Sequence, residues 1–119
     1  MNDNLVWLNG EVLPMNDAKI PLEDRGYHFA DGVYEAVRIY NSKLYALDRH
    51  FKRLQRSLEG LNFPPVDLHR LSKEVIDFCA QHGPAEGSVY LQITRGAAPR
   101  AHVIPKNLKP NIHFFTHEL

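Results

Sequence analysis

Two arginines and a histidine fall within one short stretch, Thr94-Arg95-Gly96-Ala97-Ala98-Pro99-Arg100-Ala101-His102. The alternating Val89, Leu91 and Ile93 run straight into it, so a strand is expected to deliver these cations onto one exposed loop. Gly96 and Pro99 restrict the backbone there, and the alanines leave room around the charges. A rigidly held cluster of fixed positive charge is suited to gripping an anion such as a carboxylate, because a planar guanidinium donates two parallel hydrogen bonds to one. Charge alone does not separate such a grip from a solvated basic turn.

A second group of chemistry-bearing residues lies upstream. Alternation over residues 33–40 puts Val33, Glu35, Val37 and Ile39 on one face of a strand and Tyr34, Ala36, Arg38 and Tyr40 on the other. Glu35 therefore stands in an apolar row, where an unpaired carboxylate is costly, and it is expected to have an arginine partner or backbone donors. The Tyr34 hydroxyl, on the opposite face, either enters a cavity or caps the core. Arg49, Lys52, Arg53 and Arg56 lie away from the leucine stripe of the following helix, the usual arrangement of a solvated face. Arg53 sits toward the edge of that stripe, within reach of an anionic ligand.

Other chemistries find less support. His113 and His117 are four apart, which on a strand separates them by ~13 Å, too far to share a zinc ion. The other histidines are scattered, and no Cys/His spacing reads as a metal site, so none is expected. No glycine-rich phosphate loop and no nucleophile elbow is present. The single cysteine, Cys79, falls in an apolar helix stripe and reads as a packing residue. None of the lysines, at positions 19, 43, 52, 73, 106 and 109, has an apolar strand context that would suit it to covalent catalysis.

The elements that must position these residues are legible from pattern. Asn9-Gly10 between two short apolar runs marks a hairpin. Residues 14–29 read as irregular and polar. A strand runs from Gly32 to Tyr40, and Asn41-Ser42-Lys43 turns it into a second hairpin. Asp48 is placed to cap a helix reaching about Asn62, with Phe51, Leu54, Leu58 and Leu61 on one face. Pro64-Pro65 ends it. Asp67 caps another helix, striped by Leu68, Leu71, Val75, Phe78 and Cys79 and stopped by Gly83-Pro84. Strands at residues 87–94 and about 112–116 complete the order. Strands, two adjacent helices and strands again predict an α+β fold: a mostly antiparallel β-sheet with two helices packed on it.

With 119 residues the chain is the size of one domain, and 44% hydrophobic and 24% charged residues are ordinary for a folded protein. Lys plus Arg and Asp plus Glu are both 14, so the balance points to neither nucleic acid nor an anionic membrane, and anion recognition must be local. One cysteine, no signal-like N-terminus and no long apolar run predict a soluble, cytoplasmic protein. The sequence ends at Glu118-Leu119 directly after a strand, which is expected of a cut between domains.

Three segments carry a resemblance: Asp24-Arg25-Gly26-Tyr27-x-Phe29-x-Asp31-Gly32-Val33-Tyr34-Glu35, then His50-x-x-Arg53-Leu54, then Thr94-Arg95-Gly96-x-x-Pro99-Arg100-Ala101-His102. In order and spacing they resemble the N-terminal half of class IV (fold type IV) pyridoxal-phosphate aminotransferases, over essentially the whole chain. The Pro-Arg-Ala-His loop resembles the D-amino acid aminotransferases within that class.

The resemblance implies roles. Arg53 matches the arginine that binds the phosphate of pyridoxal 5'-phosphate. Tyr34, Arg100 and His102 match the residues that trap the substrate α-carboxylate, with the Arg–His loop reaching the partner's active site in a homodimer. The implied reaction exchanges an amino group between a D-amino acid and a 2-oxo acid. No catalytic residue is implied within residues 1–119: the Schiff-base lysine belongs to a C-terminal domain absent from this chain, and the chain alone is expected to be inactive. A branched-chain aminotransferase or an aminodeoxychorismate lyase of the same class shares the earlier segments, and a non-catalytic carboxylate-binding or dimerisation module is the non-enzymatic alternative.

Overall fold

A computed structural model describes residues 4–119. The reading of the N-terminus as carrying no leader falls largely on residues 1–3, outside the described residues. Among the described residues six strands form one sheet: β1 (Leu5–Leu8), β2 (Glu11–Pro14), β3 (Gly32–Tyr40), β4 (Lys43–Leu44), β5 (Gly87–Thr94) and β6 (Asn111–Glu118). Their spatial order is β2-β1-β6-β5-β3-β4, with every neighbouring pair antiparallel. Among the described residues three α-helices accompany the sheet: the short α1 (Arg25–Phe29), then α2 (Leu47–Gly60) and α3 (Leu68–His82). The expected α+β arrangement is the one observed.

Turn chemistry sets the hairpins. Asn9 and Gly10 take φ of 49° and 99°, and Asn41 and Ser42 take 49° and 64°. These are the left-handed values that a two-residue hairpin needs to match strand twist. The second hairpin is shorter than its apolar run predicts, because only Lys43 and Leu44 pair back onto β3.

The helices end as their local sequences dictate, with one difference. The Asp67 carboxylate caps α3 by accepting from the Arg70 N–H at 3.1 Å. Asp48, expected to cap α2, lies inside its first turn instead; Ala46, at φ 56°, precedes the helix and makes no side-chain cap. An acid in the first turn still interacts favourably with the helix dipole. The stretch over residues 14–29, read as irregular, contains α1, whose start is fixed by Asp24 Oδ1 accepting from Gly26 N–H at 2.7 Å.

Helices α2 and α3 cover one sheet face. Phe51, Leu54 and Leu58 from α2 and Leu71, Val75 and Phe78 from α3 meet Val33, Val37, Val89, Leu91, Ile93 and Phe114. Cys79 packs against this cluster, and burial pushes its thiol up to about 11, consistent with a packing role. One cross-strand row on this face reads Trp7, Phe114, Leu91, Glu35, so the sheet places a carboxylate at the end of an apolar series.

Phe114 is the centre of that series. It is fully buried, stacks on Trp7 at 4.8 Å between ring centroids and meets Phe78 edge-on at 5.2 Å. Truncating a large buried aromatic removes transfer energy and leaves a cavity. Phe114→Ala is therefore expected to lower unfolding stability by about 3–5 kcal/mol in a urea titration, and a loss below about 1 kcal/mol would contradict this packing.

Candidate functional site

Glu35 projects from β3 beneath α2, where its side chain is almost fully buried. His50 and Arg53 lie three residues apart on α2 and so share a face of the helix. Arg53 Nε donates to Glu35 Oε2 at 2.8 Å and Nη2 donates to Oε1 at 2.7 Å, a bidentate pair. His50 Nδ1 stands 2.7 Å from Oε1, so its N–H completes the carboxylate's coordination. Burial pushes the Glu35 pKa upward, but the hydrogen bonds from Arg53 and then His50 outweigh it and hold the carboxyl below its usual range. The expected arginine partner of Glu35 is thus Arg53. The part played by His50 had a signal in the sequence, its three-residue spacing from Arg53.

Arg53 is bound on one side and open on the other. Its side chain is 60% exposed although its Nε and Nη2 are committed to Glu35. The Glu35 carboxylate, by hydrogen bond and charge, raises its already high pKa. A groove of about 520 Å³ opens beside it, lined by Tyr45, His50 and the cations Arg49, Lys52, Arg53 and Arg56. Of these four cations, only Arg53 makes a salt bridge among the described residues.

Tyr34 lies on the helix-free sheet face and is exposed. Its ring stacks on Tyr90 at 5.7 Å. Tyr90 in turn meets Phe115 at 5.7 Å and His113 at 6.2 Å, so Tyr34 stands at the end of an aromatic surface crossing β3, β5 and β6. Burial is the main cause of the lowered pKa of His113.

The loop after β5 departs from expectation in one respect: Arg95 is buried rather than presented to solvent. Its Nε donates to Asp31 Oδ2 at 2.8 Å, and its Nη2 and Nη1 donate to the carbonyls of Leu61 and Asn62 at 2.7 and 3.2 Å. Arg25 Nε donates to the same Asp31 oxygen at 2.8 Å. Burial pushes the Asp31 carboxyl upward, but the bonds from Arg95 and Arg25 prevail and lower its pKa. Arg95 is a structural cation because its partners, distant in sequence, converge on it.

Arg100 and His102 remain exposed. The Arg100 guanidinium lies 5.4 Å from the Phe29 ring centre and the His102 ring lies 5.5 Å from it. The fold brings these two together, while no hydrogen bond or ring contact joins them to Tyr34 or Arg53 among the described residues.

Residues 32–119 match the family model described as amino-transferase class IV. The chain belongs to the class IV aminotransferases. Within the family it is similar to the D-alanine aminotransferase of Staphylococcus epidermidis, at 41% identity over 93% of this chain and 40% of that protein. The D-alanine aminotransferase of Bacillus licheniformis is 39% identical over the same shares. The chain therefore spans about 40% of the length of these relatives. The branched-chain aminotransferase of Escherichia coli shares the fold, with a TM-score of 0.90 at 20% identity over 99% of this chain and 42% of that one. The 4-amino-4-deoxychorismate lyase of Pseudomonas aeruginosa superposes with a TM-score of 0.82 at 28% identity, covering 96% of this chain and 40% of that one.

The Glu35 arrangement has a pH signature. A depressed folded-state pKa contributes stability that is present above the unfolded value of about 4.3 and is lost as pH falls through the folded value. Glu35→Gln removes it. The substitution is expected to cost about 1–3 kcal/mol at pH 7 by urea unfolding. The gap between wild type and variant should shrink as the pH is lowered below about 4. A gap that stays constant to pH 2 would contradict an ionised, paired Glu35.

Proposed function

We propose that this chain is the substrate-clamping domain of a D-amino acid aminotransferase, which moves an amino group between a D-amino acid and a 2-oxo acid. The observation that carries the reading is the exposed pair Arg100 and His102, held together on one ring beside a buried ion-pair hub. Identity of about 40% to D-alanine aminotransferases supports the D-specific subclass over the branched-chain enzymes, whose likeness at 20% identity concerns the fold.

The class implies pyridoxal 5'-phosphate, and the donor set fits its phosphate. Glu35 fixes Arg53 while leaving the Nη1 edge of the guanidinium uncommitted, beside further cations in an open groove. When bound, the cofactor supplies an electron sink for the substrate's Cα and carries the amino group. The chain's own residues hold and orient. Arg53 anchors the phosphate, and Glu35 and His50 keep the guanidinium aimed. Arg100, His102 and Tyr34 bind the substrate carboxylate, which fixes the direction of the Cα–H bond. The cofactor-binding lysine is assigned to a further domain, and the working enzyme to a cytoplasmic homodimer in which the Arg100 loop of one protomer serves the site of the other.

Three outcomes are expected. The 119-residue chain mixed with pyridoxal phosphate should retain no cofactor absorbance after dialysis; retention that one lysine substitution abolishes would place the covalent site within this chain. The complete enzyme should turn over D-alanine with 2-oxoglutarate, and a preference for L-leucine, or lyase activity on aminodeoxychorismate, would reject the D-amino acid reading. In that enzyme Arg100→Ala should lower kcat/KM for D-alanine by roughly 10- to 100-fold, the loss of charge-assisted bonds of about 1.5–3 kcal/mol, with cofactor content unchanged. Near-normal kinetics would reduce the loop to a surface turn.

A further inference from the structure

We propose that Phe29 is the positioning residue that aims Arg100 and His102, with Arg25 as its anchor. The proposal rests on the reading of those two side chains as a carboxylate clamp. Neither makes a side-chain hydrogen bond among the described residues, and long exposed side chains left to themselves sample many rotamers. What they share is one ring. Arg100 lies 5.4 Å from the Phe29 centroid, within cation–π range, and the His102 ring lies 5.5 Å from it at 59°.

Phe29 is itself held. Arg25 places its guanidinium 4.5 Å over the same ring, while its Nε is tied to Asp31 at 2.8 Å. Its Nη1 donates to the carbonyl of Ala101 at 2.8 Å, the residue between the two clamp side chains. One buried guanidinium thus fixes both the ring and the loop backbone that the ring must face. The chain reaches this geometry because Ala30, at φ 53°, ends α1 in a left-handed turn that brings Asp31 back beside Arg25.

The arrangement lowers the entropy that carboxylate binding must remove. A clamp whose side chains are already restrained loses less freedom on binding, by about 0.5–1.5 kcal/mol per side chain, or about two- to twelvefold in affinity.

The test uses NMR of the 119-residue chain with sodium acetate as the probe. In the wild type, NOEs should connect Phe29 ring protons to His102 and Arg100; their absence overturns the proposal, whether or not any variant folds. In Phe29→Leu, the His102 ring protons should lose their aromatic ring-current shift and the Arg100 Nε–Hε heteronuclear NOE should fall. The acetate dissociation constant should rise about three- to tenfold, and Phe29→Tyr should restore all three. Unchanged side-chain signals in Phe29→Leu, acetate bound by both proteins with equal affinity, or failure of Phe29→Tyr to rescue would each overturn the positioning role. If acetate leaves the wild-type Arg100 and His102 signals unmoved while Phe29→Leu still frees both side chains, the positioning role stands and the carboxylate-clamp reading fails.

Discussion

The ion pair between Glu35 and Arg53 is the constraint that fixes α2 and its cationic groove on the sheet. Glu35 ends a cross-strand row that begins with Trp7, Phe114 and Leu91, a place where an ionised carboxylate survives only if its lone pairs are filled. Arg53 and His50 fill them from α2, and the same bonds tie that helix to β3. The buried charge does more than hold the fold together. Because Arg53 satisfies Glu35 with one edge of its guanidinium, the other edge is left in solvent with a fixed direction.

A second carboxylate repeats the device beside the Arg100 loop. Asp31 takes Arg25 and Arg95 on one oxygen, and those arginines reach on to the carbonyls of Ala101, Leu61 and Asn62. The segment before β3, the end of α2 and the loop after β5 are thereby joined through charge-assisted bonds rather than through a hydrophobic core. Asp24 gathers neutral donors in the same way, accepting from Thr94 Oγ1 at 2.9 Å and Asn111 Nδ2 at 2.7 Å. Gly96 is required there by a φ of +116° and by the close approach of the Lys109 carbonyl. A loop pinned in this way can carry exposed cations without its backbone moving with them.

The parts of this organisation that follow from local pattern were legible in the sequence. Val89, Leu91 and Ile93 alternate, and the leucines of α2 recur at helical spacing, so both the strand and the helix face could be read directly. Glu35 announced its need for an arginine partner or backbone donors because the residues flanking it on its face are apolar. The identities of distant partners were not legible. Arg95 follows a strand and precedes a glycine, which reads as an exposed turn; it is buried because Asp31, 64 residues away, and two carbonyls at the end of α2 converge on it. Arg25 and Phe29 sat in a polar stretch without periodicity, so the five-residue α1 and its hold on the Arg100 loop emerged only in three dimensions. The roles proposed for Tyr34, Arg53, Arg100 and His102 rest on family resemblance, since spacing alone does not distinguish Arg53 from Arg49 or Arg56.

If Glu35 holds Arg53 so that its free edge receives a phosphate, the Arg53 Nε–Hε resonance reports on it directly. Titrating the chain with pyridoxamine 5'-phosphate should move that resonance saturably, pyridoxamine lacking the phosphate should leave it in place, and Glu35→Gln should weaken the response. Equal shifts with both compounds, or a response confined to Arg49 and Arg56, would contradict the account.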